Sequence, residues 1–505
     1  MKEAIERLRE IDREIYRLSE ISAALGWDQE TYMPPGALND RAEQQSIVEG
    51  MIHERITSAE VGNILEKLGV DLENLSADLV IDGLEEIDNA FVREIARFYK
   101  RETKLPKKLV EEYAREASIS QSRWVEARKA SDFSIFKPHL EKVLSLKCEI
   151  ADLIGYEKER YDALLDSYEP WMKTEELLSV FERFEGRIKE FVKRIVASGK
   201  KVNNDFLYRS FDRKKQEEFG RFILGEMGFD FERGRLDVSA HPFTTSLGFA
   251  DVRLTTRYNE KDFKSGLFGI IHEGGHGLYE QGFSEKLIGI LADGTSMGIH
   301  ESQSRMWENL VGRSLPFWKA YFPKLKETFP GELSDVSLED FYRGINEITP
   351  SLIRVEADEV TYNLHIIIRF KLERELLNGK LKVQDLPEAW NSEYSGLLGI
   401  KPPNDADGVL QDIHWSHGYF GYFPTYSLGN LYSAQFFAKM KSEIPGLEDE
   451  IGKGNLQVVL SWLREKIHRH GRVYPATKLC MEVTGETLDP DYFMKYLEGK
   501  YQDIY

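Results

Sequence analysis

Cysteine is nearly absent from this chain of 505 residues: only Cys148 and Cys480 occur. So few thiols exclude a disulfide-knit secreted scaffold and fit a reducing cytoplasm. Proline is also sparse, with 17 in all, so long helices can run without interruption. No segment approaches the ~18 uninterrupted apolar residues of a membrane-spanning helix. The first twenty residues, MKEAIERLREIDREIYRLSE, lack the apolar centre of a signal peptide. Positive charge is in deficit: 67 Lys and Arg stand against 86 Asp and Glu, a formal charge of -19. That balance disfavours nucleic acid and anionic membrane surfaces as partners. The expectation is a soluble, cytoplasmic globular protein.

What is present is helical periodicity. Ile5, Leu8, Ile11, Ile15 and Leu18 recur at three- and four-residue steps and mark one helix face. Similar patterns cover 91–99, 109–117, 136–154, 178–195, 352–377 and 456–470. Three places break the rhythm. WDQETYMPPGA (Trp27 to Ala37) reads as a turn-rich link. Asp237 to Tyr258 alternates, is rich in threonine and reads as two short strands. Gly399 to Gly429 is a long loop rich in glycine, proline and aromatic residues, of the kind that often carries function. No linker separates independent domains, so residues 1–505 read as a single, mainly α domain with one small β-sheet.

The chemistry concentrates in SGLFGIIHEGGHGLYEQG (Ser265 to Gly282), which reads as a helix despite three central glycines. His272, Glu273 and His276 form H-E-x-x-H. Four residues make about one helical turn, so both imidazoles can reach one ion. Glu273 stands where a general base for hydrolysis belongs. A pair of surface histidines is the plainer alternative. Hydrolytic zinc sites take three protein ligands and leave one position for water. Glu301 lies 25 residues beyond His276 and is the favoured third ligand, with His300 and Glu308 as rivals. On the helix wheel Gly275 flanks the ligand face, where a side chain would intrude on substrate. Gly274 and Gly277 fall toward the back, where a missing Cβ allows close packing.

HPF (241–243), DVRLT (251–255), HEGGH (272–276), HESQ (300–303), IRVEAD (353–358) and GVLQDIHW (408–415) occur in this order. Together they resemble the signature set of the carboxypeptidase Taq family of metallocarboxypeptidases. The resemblance implies a two-lobed, neurolysin-like helical fold with a deep groove. It implies release of single C-terminal residues from peptides with broad specificity, one zinc or cobalt ion per subunit, and a homodimer. It also selects Glu301 as third ligand.

A carboxypeptidase must hold a free C-terminal carboxylate, and the planar fork of arginine suits that task. Arg354 is the candidate, with Arg253 and Arg257 as weaker ones. An ordinary helix-surface pair of Arg354 with Asp358 is the competing explanation. An oxyanion needs hydrogen-bond donors. His417 and Tyr426 match best the histidine and tyrosine that serve in related enzymes. His414 and Tyr422 are close rivals, and Gln411 belongs to the same motif. His241 is a further candidate for substrate contact, beside a strand edge able to pair with an extended peptide. Asp358 or Glu308 is expected to orient a ligand histidine. An endo-acting oligopeptidase and a noncatalytic peptide-binding protein are the alternatives. The intact Glu273 argues against the latter.

Overall fold

The computed structural model spans residues 1–505 and is mainly helical, with 67% of residues in helices and 3% in strands. The chain divides into two compact units. The first combines Met1–Glu102, Val202–Asn346 and Phe436–Thr487; the second combines Thr103–Lys201, Glu347–Gln435 and Leu488–Tyr505.

In the first unit, the opening helix Lys2–Thr31 buries Ile5, Leu8 and Ile11, as the periodicity predicts. They join a core with Leu65, Phe91, Ile95 and Leu291. This helix runs five residues into the stretch read as a link. The turn comes only at Tyr32, before the short helix Pro35–Ala37.

The alternating segment Asp237–Tyr258 holds two complete strands, β2 (Thr244–Gly248) and β3 (Asp251–Thr256), and a third, β1 (Gly234–Val238), begins before it and ends within it. Their order is β1-β3-β2, with β3 parallel to β1 and antiparallel to β2. The strand that carries DVRLT is therefore central and has no free edge; β2, just after HPF, lies at the sheet's edge.

The helix Phe263–Glu280 packs on β3. Its start is fixed by Asp262, whose side chain accepts from the Ser265 N–H. Leu267, Phe268, Ile270, Ile271 and Leu278 are buried along it. The glycines let three neighbours approach. A Cβ at Gly274 would stand 2.5 Å from Leu224 Cδ2, and one at Gly277 would stand 2.7 Å from Leu254 Cδ2. A Cβ at Gly275 would meet Ser304 Cα at 2.6 Å and the Gln303 carbonyl oxygen at 2.7 Å. Gly275 thus faces the backbone of the helix Met297–Arg305, not a substrate space, which corrects the helix-wheel expectation. The wheel gives a direction but not what lies along it.

The second unit contains the helix Tyr362–Leu377, buried along most of its length. The expected helix over 352–377 is interrupted. Arg354–Glu356 form a separate 3₁₀ turn, and Asp358 accepts from the N–H groups of Val360 and Thr361 at the start of the longer helix. Arg354 and Asp358 are consequently not a helical surface pair.

Candidate active site

The metal helix presents His272 and His276 side by side, and the helix Met297–Arg305 brings Glu301 against them. Glu301 Oε2 lies 3.6 Å from His272 Nε2 and 3.4 Å from His276 Nε2. Ligands about 2.1 Å from one tetrahedral ion stand roughly 3.4 Å apart, so these three atoms fit a single divalent ion. The donor set, two imidazoles and a carboxylate, suits such an ion as well.

The remaining polar atoms of the triad are tied back into the protein. His272 Nδ1 meets Glu308 Oε2 at 2.9 Å, whereas Asp358 is engaged at the start of the helix Tyr362–Leu377. His276 Nδ1 meets His300 Nδ1 at 2.6 Å, and His300 Nε2 meets Glu280 Oε1 at 2.6 Å. Both ring nitrogens of His300 are thus engaged, by His276 and Glu280. Glu280 in turn accepts from Ser246 on β2. Arg305 lies between the two acids, donating to Glu301 Oε1 at 2.6 Å and to Glu308 Oε2 at 3.2 Å. These contacts hold both Nε2 atoms toward the ion position.

The electrostatics agree with that arrangement. Burial lowers His276 to about 3, which keeps its imidazole neutral and able to ligate. Burial alone would raise Glu301, but Arg305 and His272 overcome it and hold the carboxylate ionised. Burial raises Glu273 above the usual carboxylate range. Glu273 Oε2 accepts from the Thr244 hydroxyl at 2.6 Å. Thr244, on β2, fixes the carboxylate beside the ligands, and no sequence signal marks it beyond its place after HPF.

Arg253, on β3, donates to Asp251 at 2.9 and 2.7 Å and lies 4.2 Å over the Trp27 ring. It braces the sheet and the opening helix. His241 is exposed in the connection between β1 and β2.

The other sequence candidates cluster in the second unit. Arg354 is 5% exposed. Its Nε donates to Asp412 at 2.9 Å and its Nη1 to the Tyr362 hydroxyl at 2.8 Å. The ring of Tyr426 lies 5.0 Å from its guanidinium carbon. Asp412 is shared: Arg369, fully buried, donates to its other oxygen at 2.7 Å. Burial would raise Asp412, but the two arginines hold it well below the carboxylate range. Gln411 accepts from the Arg354 N–H and from Arg369, and donates to Leu352 O, Asp407 O and the Tyr394 hydroxyl. With both ends of its amide engaged, Gln411 is a brace for the arginine pair. Asp412 and Arg369 are the residues the sequence reading passes over; Asp412 lies inside a motif already singled out.

Tyr426 pairs with His414, whose Nε2 is 3.1 Å from the phenol oxygen. Burial lowers His414 to about 3, so it is neutral. His417 instead stacks on Tyr419 at 5.3 Å, and its carbonyl accepts from the Tyr113 hydroxyl. Tyr422 packs edge-on against Tyr168.

Known proteins match nearly the whole chain. Residues 7–501 match the carboxypeptidase Taq (M32) metallopeptidase family. Thermostable carboxypeptidase 1 of Thermus thermophilus is 44% identical, the match covering 99% of each chain. Carboxypeptidase 1 of Bacillus subtilis is 40% identical, covering 98% of this chain and 97% of that relative. The crystal structure of the M32 carboxypeptidase from Deinococcus radiodurans superimposes with a TM-score of 0.94 at 40% identity over 99% of both chains. With the two histidines and glutamate of the triad in place, the chain belongs to the carboxypeptidase Taq (M32) metallopeptidase family and is a metallocarboxypeptidase.

Proposed function

We propose that the protein removes single residues from the free C-terminus of peptides with broad side-chain tolerance, residues 1–505 working as one catalytic domain. The observation that carries this reading is Glu273, buried, hydrogen-bonded to Thr244 and adjacent to a three-ligand site. A structural zinc site has four protein ligands and needs no neighbouring base. His272, His276 and Glu301 would hold the ion, zinc or cobalt, which when bound would supply Lewis-acid polarisation and lower the pKa of a water. Glu273 takes the proton of the attacking water and passes it to the leaving amine. Arg354 binds the terminal carboxylate; of its five N–H donors, only some are engaged by Asp412 and Tyr362. His414 and Tyr426 donate to the developing oxyanion; His414 shares its 3₁₀ turn with His417, and Tyr426 lies in the first turn of the helix Pro424–Glu443, just after Tyr422. His241 and the edge of β2 support an extended peptide. Pairing of two copies follows from the family resemblance, and the free thiols of Cys148 and Cys480 support a cytoplasmic setting.

The test is a mass-spectrometric digest of one peptide with a free C-terminus and its amidated twin, with and without chelator. Stepwise shortening of the free peptide alone, abolished by chelation, is expected. Internal cleavage of the amidated peptide would instead assign an oligopeptidase. Glu273→Gln is expected to lower kcat by about a thousandfold while retaining bound metal; full activity in that variant would overturn the mechanism.

A further inference from the structure

One buried carboxylate has no part in the chemistry above. Glu373, on the helix Tyr362–Leu377, is inaccessible to solvent. Its Oε1 accepts from the Trp415 indole N–H at 2.8 Å. Its Oε2 accepts from the Tyr161 hydroxyl at 2.9 Å and from the Gly421 backbone N–H at 3.1 Å. Two of these three donors belong to the segment that carries His414, in the 3₁₀ turn His414–His417, and that leads into the helix Pro424–Glu443, whose first turn holds Tyr426. Trp415 directly follows His414, and Gly421 directly precedes Tyr422. Between them the chain turns through Gly418 (φ 69°) to Gly421 (φ 90°). The loop also lies hard against the helix Arg160–Leu165: a Cβ at Gly421 would stand 2.9 Å from the backbone of Leu164 and Leu165.

We propose that Glu373 is a positioning residue for hydrolysis: its carboxylate clamps the loop at Trp415 and Gly421 and so fixes the placement of His414 and Tyr426. The proposal rests on the oxyanion role given to those two residues. Only an ionised carboxylate accepts from all three donors; an amide turns a hydrogen of its own against one of them, and a protonated acid keeps Tyr161 only by reversing that hydroxyl into an acceptor. Packing alone would be met by glutamine, which has the same shape.

The surrounding charges make the clamp sensitive to pH. Burial pushes Glu373 up to about 7, against the opposing pull of the Trp415, Gly421 and Tyr161 donors and of Arg369 one turn earlier. Tyr161 and Tyr168 face it as well, both raised in part by it, with Arg374 beside Tyr161. A carboxyl whose folded pKa lies above its unfolded value of about 4.3 stabilises the fold most below that value. It loses this contribution as pH rises through about 7. The clamp has the opposite dependence, since it forms as the carboxyl ionises. Stability and positioning therefore move in opposite directions with pH, which a purely structural acid would not show.

The experiment uses the metal-loaded full chain and the variants Glu373→Gln, Trp415→Phe and Tyr426→Phe. At about pH 8, Glu373→Gln is expected to keep its metal and an equal or higher Tm, because it removes a costly buried charge. Its kcat is expected to fall about tenfold or more, with KM within about threefold of the starting value. Trp415→Phe removes one donor and keeps a ring, so its acidic limb of kcat is expected to move up toward one pH unit. An unchanged kcat in Glu373→Gln, or a loss matched by lost metal or lowered Tm, overturns the proposal. If Glu373→Gln does not fold, an unmoved kcat and pH limb in Trp415→Phe overturns it instead. Full activity in Tyr426→Phe removes the oxyanion reading and the clamp with it. A slow Tyr426→Phe beside a fast Glu373→Gln removes the clamp alone.

Discussion

The Glu308 carboxylate accepts a hydrogen bond from His272 Nδ1–H and leaves Nε2 directed at the position shared with His276 and Glu301. Without that acceptor the ring is free to rotate or to exchange its proton between nitrogens. Glu308→Gln is therefore expected to weaken metal binding by about 10- to 100-fold, read by competition with a chromophoric chelator, while kcat at saturating metal falls much less. Unchanged affinity would show that Arg305 and the helix backbone suffice. At this scale the sequence is most legible where one helical turn sets the geometry, as for His272, Glu273 and His276. It is least legible where partners are far apart in the chain. Thr244 reaches Glu273 across 29 residues, and Arg354 reaches Asp412 across 58. Nothing local to either member announces such a pair. Glu301 is an intermediate case: spacing leaves it open against His300 and Glu308, and only the company of the other motifs selects it.

Helices and strands carry a second kind of information, namely how near one element lets another come. Gly275 allows the helix Met297–Arg305 to lie against the metal helix, and that closeness is what delivers Glu301. Gly275→Ala places a methyl 2.6 Å from the Ser304 Cα, so a backbone must move. The expected result is a stability loss of about 1–3 kcal/mol together with weakened metal binding, read by thermal unfolding and metal content. Gly274→Ala meets only the flexible ends of Leu224 and Met227, and is expected to cost less and to leave the metal in place. Equal behaviour of the two variants would refute this account. Helix periodicity anticipates most elements because burial of one face dictates it. It misses the strand Gly234–Val238, most of which lies before the alternating segment. It fails again at Arg354, where apolar residues on both sides of a 3₁₀ turn mimic a continuous helix.

For the molecule as a whole, each compact unit is assembled from three separate stretches of chain. A single sequence window therefore contains no complete unit, which is why no linker is visible between them. The C-terminal helix Asp491–Tyr501 illustrates the dependence. Its Lys500, Tyr496 and Tyr501 all donate to the buried Glu359, with Tyr501 at 2.6 Å and Tyr496 at 2.9 Å. Deleting residues 491–505 strips this carboxylate of those donors, and breaking a buried pair typically costs about 3–5 kcal/mol. A urea titration of the truncated chain is expected to show that loss or a failure to fold; an unchanged midpoint would contradict it. The feature also bears on biosynthesis. Glu359 leaves the ribosome some 141 residues before Lys500 does. During that interval the three donors of the C-terminal helix do not yet exist, so the burial of Glu359 seen in the finished fold waits for the last residues of the chain.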